Sequence, residues 1–470
     1  MPTLLEACYL QQRFGLGWPN RHVTVSLFPA SLPKRGSIFD LAIAVALLAA
    51  AEAVPAKACS NLVMVGELGL DGRVRSIPGV LPAAVAAANA GYSTVVVPQA
   101  NAAEATLVPD LKVIPAASLR ALLCHLRDEP PPVEEDEETP APRTAAPADR
   151  RPDLDLSDVR GQAEARRALE ISAAGGHHLY FSGPPGCGKT MLAERLPTLL
   201  PPLDPTAALE VTAIHSIAGT LPPNQPLITR PPFCAPHHTA TRSAMVGGGS
   251  GRVIQPGAAS LAHRGILFLD EAPEYMSGVL DALRQPLEEG EVRIARSEGT
   301  ACFPARFTLI LAANPCPCAA AKELDCSCAP SVRRRYLARI SGPLLDRIDL
   351  KLELHPASRT ELRYDLEFAE PSEVVAERVQ AARERTAHRL LDTPWRCNAE
   401  IPGPELRRRF TPPREAMNAA DDALNHGTLS ARGLDRVLRV AWTIADLAGR
   451  DHPDENDIGG ALALWTGRRP

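Results

Sequence analysis

The sequence predicts an α/β protein in which a phosphate-loop core is followed by a helical domain and preceded by a smaller α/β domain. Three observations carry this. The string Gly183-Pro184-Pro185-Gly186-Cys187-Gly188-Lys189-Thr190 stands between the apolar run 179–181 and a helical segment starting at Met191, the strand, glycine loop and helix order that cradles phosphate. Two more short apolar runs, 266–269 and 307–312, have the length and continuous hydrophobicity of central parallel strands. From Ser372 onward Pro and Gly punctuate amphipathic segments without a strand-like run, which predicts helices alone.

At 470 residues the chain is long enough for two or three domains, each with its own apolar interior. Residues 128–153 lose all apolar periodicity to Pro, Ala and the acidic run 134–138, the composition of a solvated linker. The predicted division is therefore 1–127, the linker 128–153, a nucleotide-binding domain 154–371 and a helical domain 372–470. Within the first domain, alternating Val23, Val25 and Leu27 predict a strand, 41–51 a helix and 62–65 a strand followed by Gly66 and Gly69. A helix over 81–90 and a strand over 94–97 complete it.

Composition excludes several classes. No window reaches eighteen uninterrupted apolar residues, so no membrane segment is expected. The first ten residues lack the basic leader and apolar stretch of a secretory signal, and eleven cysteines scattered through a large chain suit a reducing compartment. A cytoplasmic protein is the expectation. The formal net charge of -5 gives no global pull toward nucleic acid, so any DNA contact needs a local basic surface.

The motif residues have definite chemistry. Backbone N–H groups of the 183–188 loop turn inward around phosphate oxygens, and the positive end of the following helix adds to them. Lys189 is placed to reach the β and γ phosphates of ATP, and the Thr190 hydroxyl to coordinate magnesium. In Gly265-Ile-Leu-Phe-Leu-Asp270-Glu271 an apolar strand ends in two carboxylates, at the sheet end where such folds bind ligands. Asp270 is assigned to the magnesium shell and Glu271 to polarising the attacking water. The third run ends in Asn314, suited to orienting that water from the adjacent strand.

The chain also resembles the ComM/YifB family of magnesium-chelatase-like AAA+ ATPases. The resemblance is carried by Phe28-Pro-Ala-Ser-Leu-Pro-Lys-Arg-Gly36, Val65-Gly-Glu-Leu-Gly-Leu-Asp-Gly-Arg73, Pro236-His-His-Thr239, Gly247-Gly-Gly-Ser250, Ala282-Leu-Arg-Gln-Pro-Leu-Glu288, Asn314-Pro-Cys-Pro-Cys318 and the segment 341–349. It implies a Lon-protease-like (ribosomal S5 domain 2-like) first domain, an AAA+ core and a C-terminal helical lid. It further implies a hexameric ring acting as a branch-migration helicase on recombining DNA. Under it Asn314 is the first sensor, and Arg347 is a finger presented to the adjacent subunit's γ-phosphate, with Arg339 the nearest substitute. Arg432 opens a helix marked by Leu434, Val437, Leu438, Ala441 and Ile444, with Ser430 as N-cap, and would reach ATP from the lid.

The Lon resemblance raises peptidase activity. Lon-type catalysis needs a Ser-Lys pair, but alignment places Ile38 at the nucleophile position, with Ser37 beside it, and Pro78-Gly-Val-Leu-Pro-Ala-Ala contains no lysine. No peptidase is expected. The family begins some tens of residues earlier, so a late start or a truncated first domain with an exposed sheet edge is expected.

Cys316-x-Cys318 and Cys326-x-Cys328 lie close enough in sequence to share one tetrahedral zinc; free thiols or disulfides are the alternatives. A hairpin over 291–303 carries Arg293 and Arg296, which resemble pore-lining positions able to track DNA phosphates; a plain solvated hairpin is the other reading. The leading function is a DNA-remodelling ATPase. A magnesium-chelatase motor acting through a partner on a tetrapyrrole is the rival, and a nucleotide-gated scaffold would need a broken hydrolytic set.

Overall fold

The computed structural model describes residues 24–28, 36–130, 154–222, 225–249, 254–296, 299–320 and 325–467. They fall into two compact units, one of the described residues within Met1–Arg150, Pro205–Ile228 and Gly249–Gln255, the other of those within Arg151–Asp204, Thr229–Gly248 and Pro256–Pro470.

In the first unit, helix α1 (Asp40–Ala50) buries Leu41, Ala44, Val45 and Leu48, the spacing of one helical face. Strands β1 (Leu62–Met64), β4 (Thr94–Pro98) and β5 (Lys112–Ala116) form a parallel sheet in the order β1-β4-β5, and β2 (Glu67–Leu68) pairs with β3 (Val74–Arg75) as a short hairpin. Helix α2 (Val80–Asn89) starts from Gly79, whose φ of 82° is the left-handed conformation glycine adopts freely. Helix α3 (Leu119–Leu126) is capped by Ser118, whose hydroxyl accepts from the Ala121 N–H at 3.1 Å. Sequence patterning missed β5 and α3. Pro115 interrupts the β5 pattern, and it is tolerated because β5 is an edge strand. The strand predicted from Val23, Val25 and Leu27 does not appear among residues 24–28, which are exposed and unpaired to any strand; alternation without a partner ladder does not make a strand.

One helix belongs here despite its place in the chain. Pro205–Ala218 follows the phosphate-loop helix in sequence yet groups with the first unit, where the Ser216 carbonyl accepts from the Gly79 N–H at 2.9 Å and Ala213 packs on the cluster of Val80, Leu81 and Ala84.

The second unit is built on a five-stranded all-parallel sheet. Its strands are β6 (Leu179–Ser182), β7 (Phe233–Cys234), β8 (Ile266–Leu269), β11 (Thr308–Ala313) and β12 (Leu350–Glu353), in the order β12-β6-β11-β8-β7. The three central strands are the three apolar runs. The edges escaped the sequence reading because β7 is two residues long and β12, Leu-Lys-Leu-Glu, alternates instead of running continuously apolar. Strands β9 (Glu291–Arg296) and β10 (Gly299–Pro304) form the predicted antiparallel hairpin. Helices α4 (Ala163–Gly175) and α5 (Lys189–Leu199) share a core cluster with β6. The C-terminal part holds α7 (Ser372–Arg389), α8 (Ala431–Leu447) and α9 (Glu455–Thr466), after the short α6 (Arg284–Glu289) in the core. No strand occurs among described residues from Ser372 on. Among the described residues no helix is long and apolar enough to cross a membrane.

Candidate functional site

Strand β6 delivers the chain directly into the glycine loop, and α5 begins at Lys189, two residues earlier than the pattern predicted. Each glycine has its own reason. A Cβ on Gly183 would lie 2.5 Å from the Leu354 carbonyl oxygen and 2.9 Å from the Cys187 sulfur, while Gly186 and Gly188 have φ of 77° and 93°, which side-chain-bearing residues rarely adopt. Cys187 is buried and its carbonyl accepts from Gln162 Nε2 at 3.2 Å; Pro185 and Met191 are exposed, and Pro184 is half-buried.

The functional side chains converge at the carboxyl end of this sheet. The buried Lys189 ammonium donates to the carbonyls of Gly183 at 2.6 Å and Pro184 at 2.9 Å, and to Asn314 Oδ1 at 3.0 Å. Asn314 follows the end of β11, which is hydrogen-bonded to both β6 and β8, so it stands between the loop and the acidic pair. Thr190 donates its hydroxyl proton to Asp270 Oδ2 at 2.8 Å, which puts the two predicted magnesium ligands in contact. Oxygen donors this close suit a hard cation.

Glu271 has φ of 50° and ψ of 43°, a left-handed conformation rare for a side-chain-bearing residue and costing on the order of 1–3 kcal/mol. Asp270 Oδ1 holds it there by accepting its N–H at 2.8 Å. Its carboxylate lies 3.3 Å from His238 Nδ1, and the His238 ring stacks on His237 with centroids 4.0 Å apart. The Tyr275 hydroxyl donates to the Pro236 carbonyl, tying this histidine loop to the segment after Glu271; burial and then the Asp270 charge push that phenol's pKa up. His238 is the residue that the motif reading missed. Its signal was the string Pro236-His-His-Thr239, which carries no chemistry until the fold brings it to Glu271.

Two predicted residues lie elsewhere. Arg347 is almost buried, ion-paired with Glu288 and donating to the Pro343 carbonyl, instead of pairing with its neighbours Asp346 or Asp349. Burial, followed by Arg284, Arg436 and Arg432, lowers its pKa. Arg432 sits in the first turn of α8, exposed, with Ser430 capping the helix by accepting from the Gly433 N–H at 3.1 Å. Arg339, the substitute finger, bonds the Pro273 carbonyl at 3.1 Å and lies 3.3 Å from Glu274.

Four sulfurs gather after Asn314. Those of Cys316, Cys318, Cys326 and Cys328 all lie within 4.8 Å of one another, with Cys316 to Cys318 at 3.1 Å, Cys316 to Cys326 at 3.4 Å and Cys318 to Cys326 at 3.5 Å. A tetrahedron with Zn–S bonds of about 2.3 Å has edges of about 3.8 Å, so this donor set fits a closed zinc site. Burial pushes the Cys316 thiol up to about 11, and hydrogen bonds, Cys316's first, bring Cys318 down to about 6. On the hairpin, Arg293 is exposed and donates through Nε to Glu291 Oε1 at 2.6 Å, with Glu289 at 3.9 Å. The Arg296 side chain lies outside the described residues. In the first unit, Ser37 donates to Glu67.

Three family descriptions match the chain: "Magnesium chelatase, subunit ChlI" over residues 155–362, "Subunit ChlI of Mg-chelatase" over 9–101 and "Magnesium chelatase, subunit ChlI C-terminal" over 369–464. An uncharacterized protein of Mycobacterium tuberculosis is 50% identical over 458 residues, covering 97% of this chain and 89% of its own. The YifB protein of Escherichia coli is 40% identical, covering 94% and 84%, and the competence protein ComM of Haemophilus influenzae is 39% identical, covering 95% and 86%. A Lon protease of Rhizobium meliloti is 30% identical over 171 residues, and the magnesium-chelatase 67 kDa subunit of Heliobacterium mobile 27% over 191, each covering 34% of this chain. With a parallel sheet carrying its phosphate loop and acidic pair at one end, and relatives matching it nearly end to end, the chain belongs to the ComM/YifB family of magnesium-chelatase-like AAA+ proteins.

Proposed function

We propose that this chain is an ATP-hydrolysing motor that works as a ring of identical subunits, hexameric by family analogy, and remodels DNA in the cytoplasm as a branch-migration helicase. The observation that carries the ATPase reading is the convergence of Lys189, Thr190, Asp270, Glu271 and Asn314 within hydrogen-bonding chains at one sheet end. Lys189 exchanges its loop carbonyls for phosphate oxygens, a contact that does not need the ammonium to leave its buried position. Thr190 and Asp270 would hold magnesium, which would supply positive charge against that building on the phosphate oxygens. Asn314 orients the water that Glu271 deprotonates, and His238, 3.3 Å from the Glu271 carboxylate, sets where that carboxylate points. Cys316, Cys318, Cys326 and Cys328 would hold a structural zinc, which would keep the segment after Asn314 in place.

The DNA reading is favoured by the likeness to a competence protein over nearly the whole chain and by the exposed Arg293 on the β9–β10 hairpin. The first unit, read as Lon-like, is assigned no peptidase role. ATP turnover measured with single-stranded DNA, a four-way junction, or protoporphyrin plus chelatase partners tests the reading. Stimulation by DNA is expected, with loss of that stimulation but not of basal turnover in Arg293→Gln/Arg296→Gln, and with a flatter salt dependence of DNA binding. No DNA binding by the wild type at low salt, with stimulation by the chelatase partners, would replace it by the chelatase reading.

A further inference from the structure

The four clustered cysteines stand between two elements that both reach the nucleotide site. On one side, Cys316 is two residues beyond Asn314, whose Oδ1 accepts from Lys189 at 3.0 Å. On the other, Cys328 is two residues before the helix Pro330–Leu337. That helix carries the buried Tyr336, which donates to Glu274; burial, then the charges of Glu274 and Glu271, raise the pKa of its phenol. Just past the helix, Arg339 bonds the Pro273 carbonyl at 3.1 Å. The cluster therefore joins the asparagine that orients water to the helix that packs beside the base.

Two features allow this joint to open. Cys316 is buried, whereas Cys318 is exposed and Cys326 and Cys328 are half-buried, so a solute reaches the cluster from the Cys318 side. Ala319, the next residue, has φ of 49°, a left-handed backbone that a β-carbon disfavours. Strain of this kind persists only where neighbouring contacts impose it, and the Cys316 carbonyl supplies one by accepting the Ala319 N–H at 3.2 Å. Thiolate is the reactive form of cysteine, and exposure selects which sulfur is oxidised first. Cys326, on the other arm of the loop, is 3.5 Å from Cys318, within reach as the resolving sulfur.

We propose that Cys318 and Cys326 are an oxidation site for hydrogen peroxide, and that joining them as a disulfide releases the structural zinc and slows ATP turnover. This rests on the zinc and ATPase readings above. The Cys318 thiolate attacks the peroxide: an S–O bond forms, the O–O bond breaks, and the departing hydroxide takes a proton to leave as water. Cys318 is then a sulfenic acid. The Cys326 thiolate attacks that sulfur, forming the S–S bond and expelling hydroxide, which is protonated to a second water. The two thiolates lose two electrons and the peroxide gains them. Cys316 and Cys328 are only half of the four-thiolate set that closes a structural site, so Asn314 and the Tyr336 helix lose their common anchor. A thiol reductant reverses the bond by exchange, which makes the change a switch.

Hydrogen peroxide in slight excess over protein purified without chelator tests it. Free zinc is followed by the absorbance of 4-(2-pyridylazo)resorcinol, the disulfide by peptide mass mapping, and ATP turnover in parallel. Zinc should appear together with a Cys318–Cys326 bridge, and turnover should fall at least about tenfold, since a misplacement of about 1 Å can cost about a hundredfold. Dithiothreitol with added zinc should restore it. In Cys318→Ser/Cys326→Ser, peroxide should cause no further loss. Turnover that falls with zinc retained, or falls equally in the double variant, would put the sensitive thiol elsewhere, such as Cys187 in the phosphate loop, and overturn the proposal. Zinc release with unchanged turnover would overturn it too, as would a loss that the reductant cannot reverse. Wild type without zinc fails at the metal reading, and wild type without turnover at the ATPase reading. Both failures show before peroxide is added, and either takes the switch with it.

Discussion

At the amino end of β6, His178 is largely buried and its Nδ1 accepts the Leu309 N–H at 3.0 Å, so the ring must be neutral at that nitrogen. Burial is the main reason its pKa falls from 6.5 to about 4, with Arg436 and His177 contributing against the opposing pull of Asp349. Asp349 has the reverse balance: burial raises its pKa, but Arg436, His177 and His178 outweigh that and hold it ionised. The sign for His178 follows. A folded pKa below the unfolded one means that the folded state takes up its proton later, so its contribution is complete above pH 6.5 and is lost as pH falls from there toward 4. The loss is at most about 3.5 kcal/mol at about 1.4 kcal/mol per unit, reduced by whatever part of the ring meets solvent. His178→Asn, whose side-chain oxygen can still accept from Leu309, should therefore flatten the fall in melting temperature across that window. A variant whose melting temperature falls in parallel with the wild type would show that another group titrates.

The loop after β11 concentrates chemistry in one element. Cys316 is two residues beyond Asn314, and Asn314 accepts from Lys189, so whatever fixes the cysteines also fixes the hydrogen bond across the nucleotide site. Protein purified without chelator is expected to carry about one zinc per chain by elemental analysis, bound by four thiolates. Cys318→Ser/Cys326→Ser should lose the metal, melt lower, and turn over ATP more slowly. A metal-free wild type that is folded and fully active would remove the zinc. Elements of this kind were legible where chemistry is local: the loop 183–190, the pair Asp270 and Glu271, the cysteine pairs and the hairpin all declare themselves in short strings, and continuous apolar runs give the three central strands. What stayed hidden depends on distant chain. His238 reaches Glu271 across more than thirty residues, Arg436 reaches Asp349 across 87, and the helix Pro205–Ala218 joins the first unit by contacts that its own sequence does not encode. The partner of Arg347 was hidden for the same reason, since Glu288 lies 59 residues away.

For the whole molecule, the residues proposed to act in ATP turnover lie at opposite ends of one sheet. The loop, Asp270, Glu271 and Asn314 gather at the carboxyl end, while Arg347 is two residues before Asp349 at the amino end. If turnover needs both, a single chain is incomplete, and binding ATP must be linked to association, because a ligand that prefers the assembled state stabilises it by RT ln(1 + [L]/Kd). At a hundredfold excess over Kd that is about 2.7 kcal/mol per site, enough to move assembly to far lower protein concentrations. Wild-type rings would spend the ligand as they form, so the variant to weigh is Glu271→Gln, which keeps the shape of the base without its basicity. By mass photometry or sedimentation, Mg-ATP should drive Glu271→Gln into one large species, with Lys189→Ala unmoved by ATP and Arg347→Ala shifting less because its face of the shared site is missing a cation. Salt should weaken this assembly, since the contact is between fixed charges and phosphate. A Glu271→Gln mass distribution that ignores ATP at saturating concentration would mean that the two sheet ends do not complete each other, and Arg347 would then be a structural partner of Glu288.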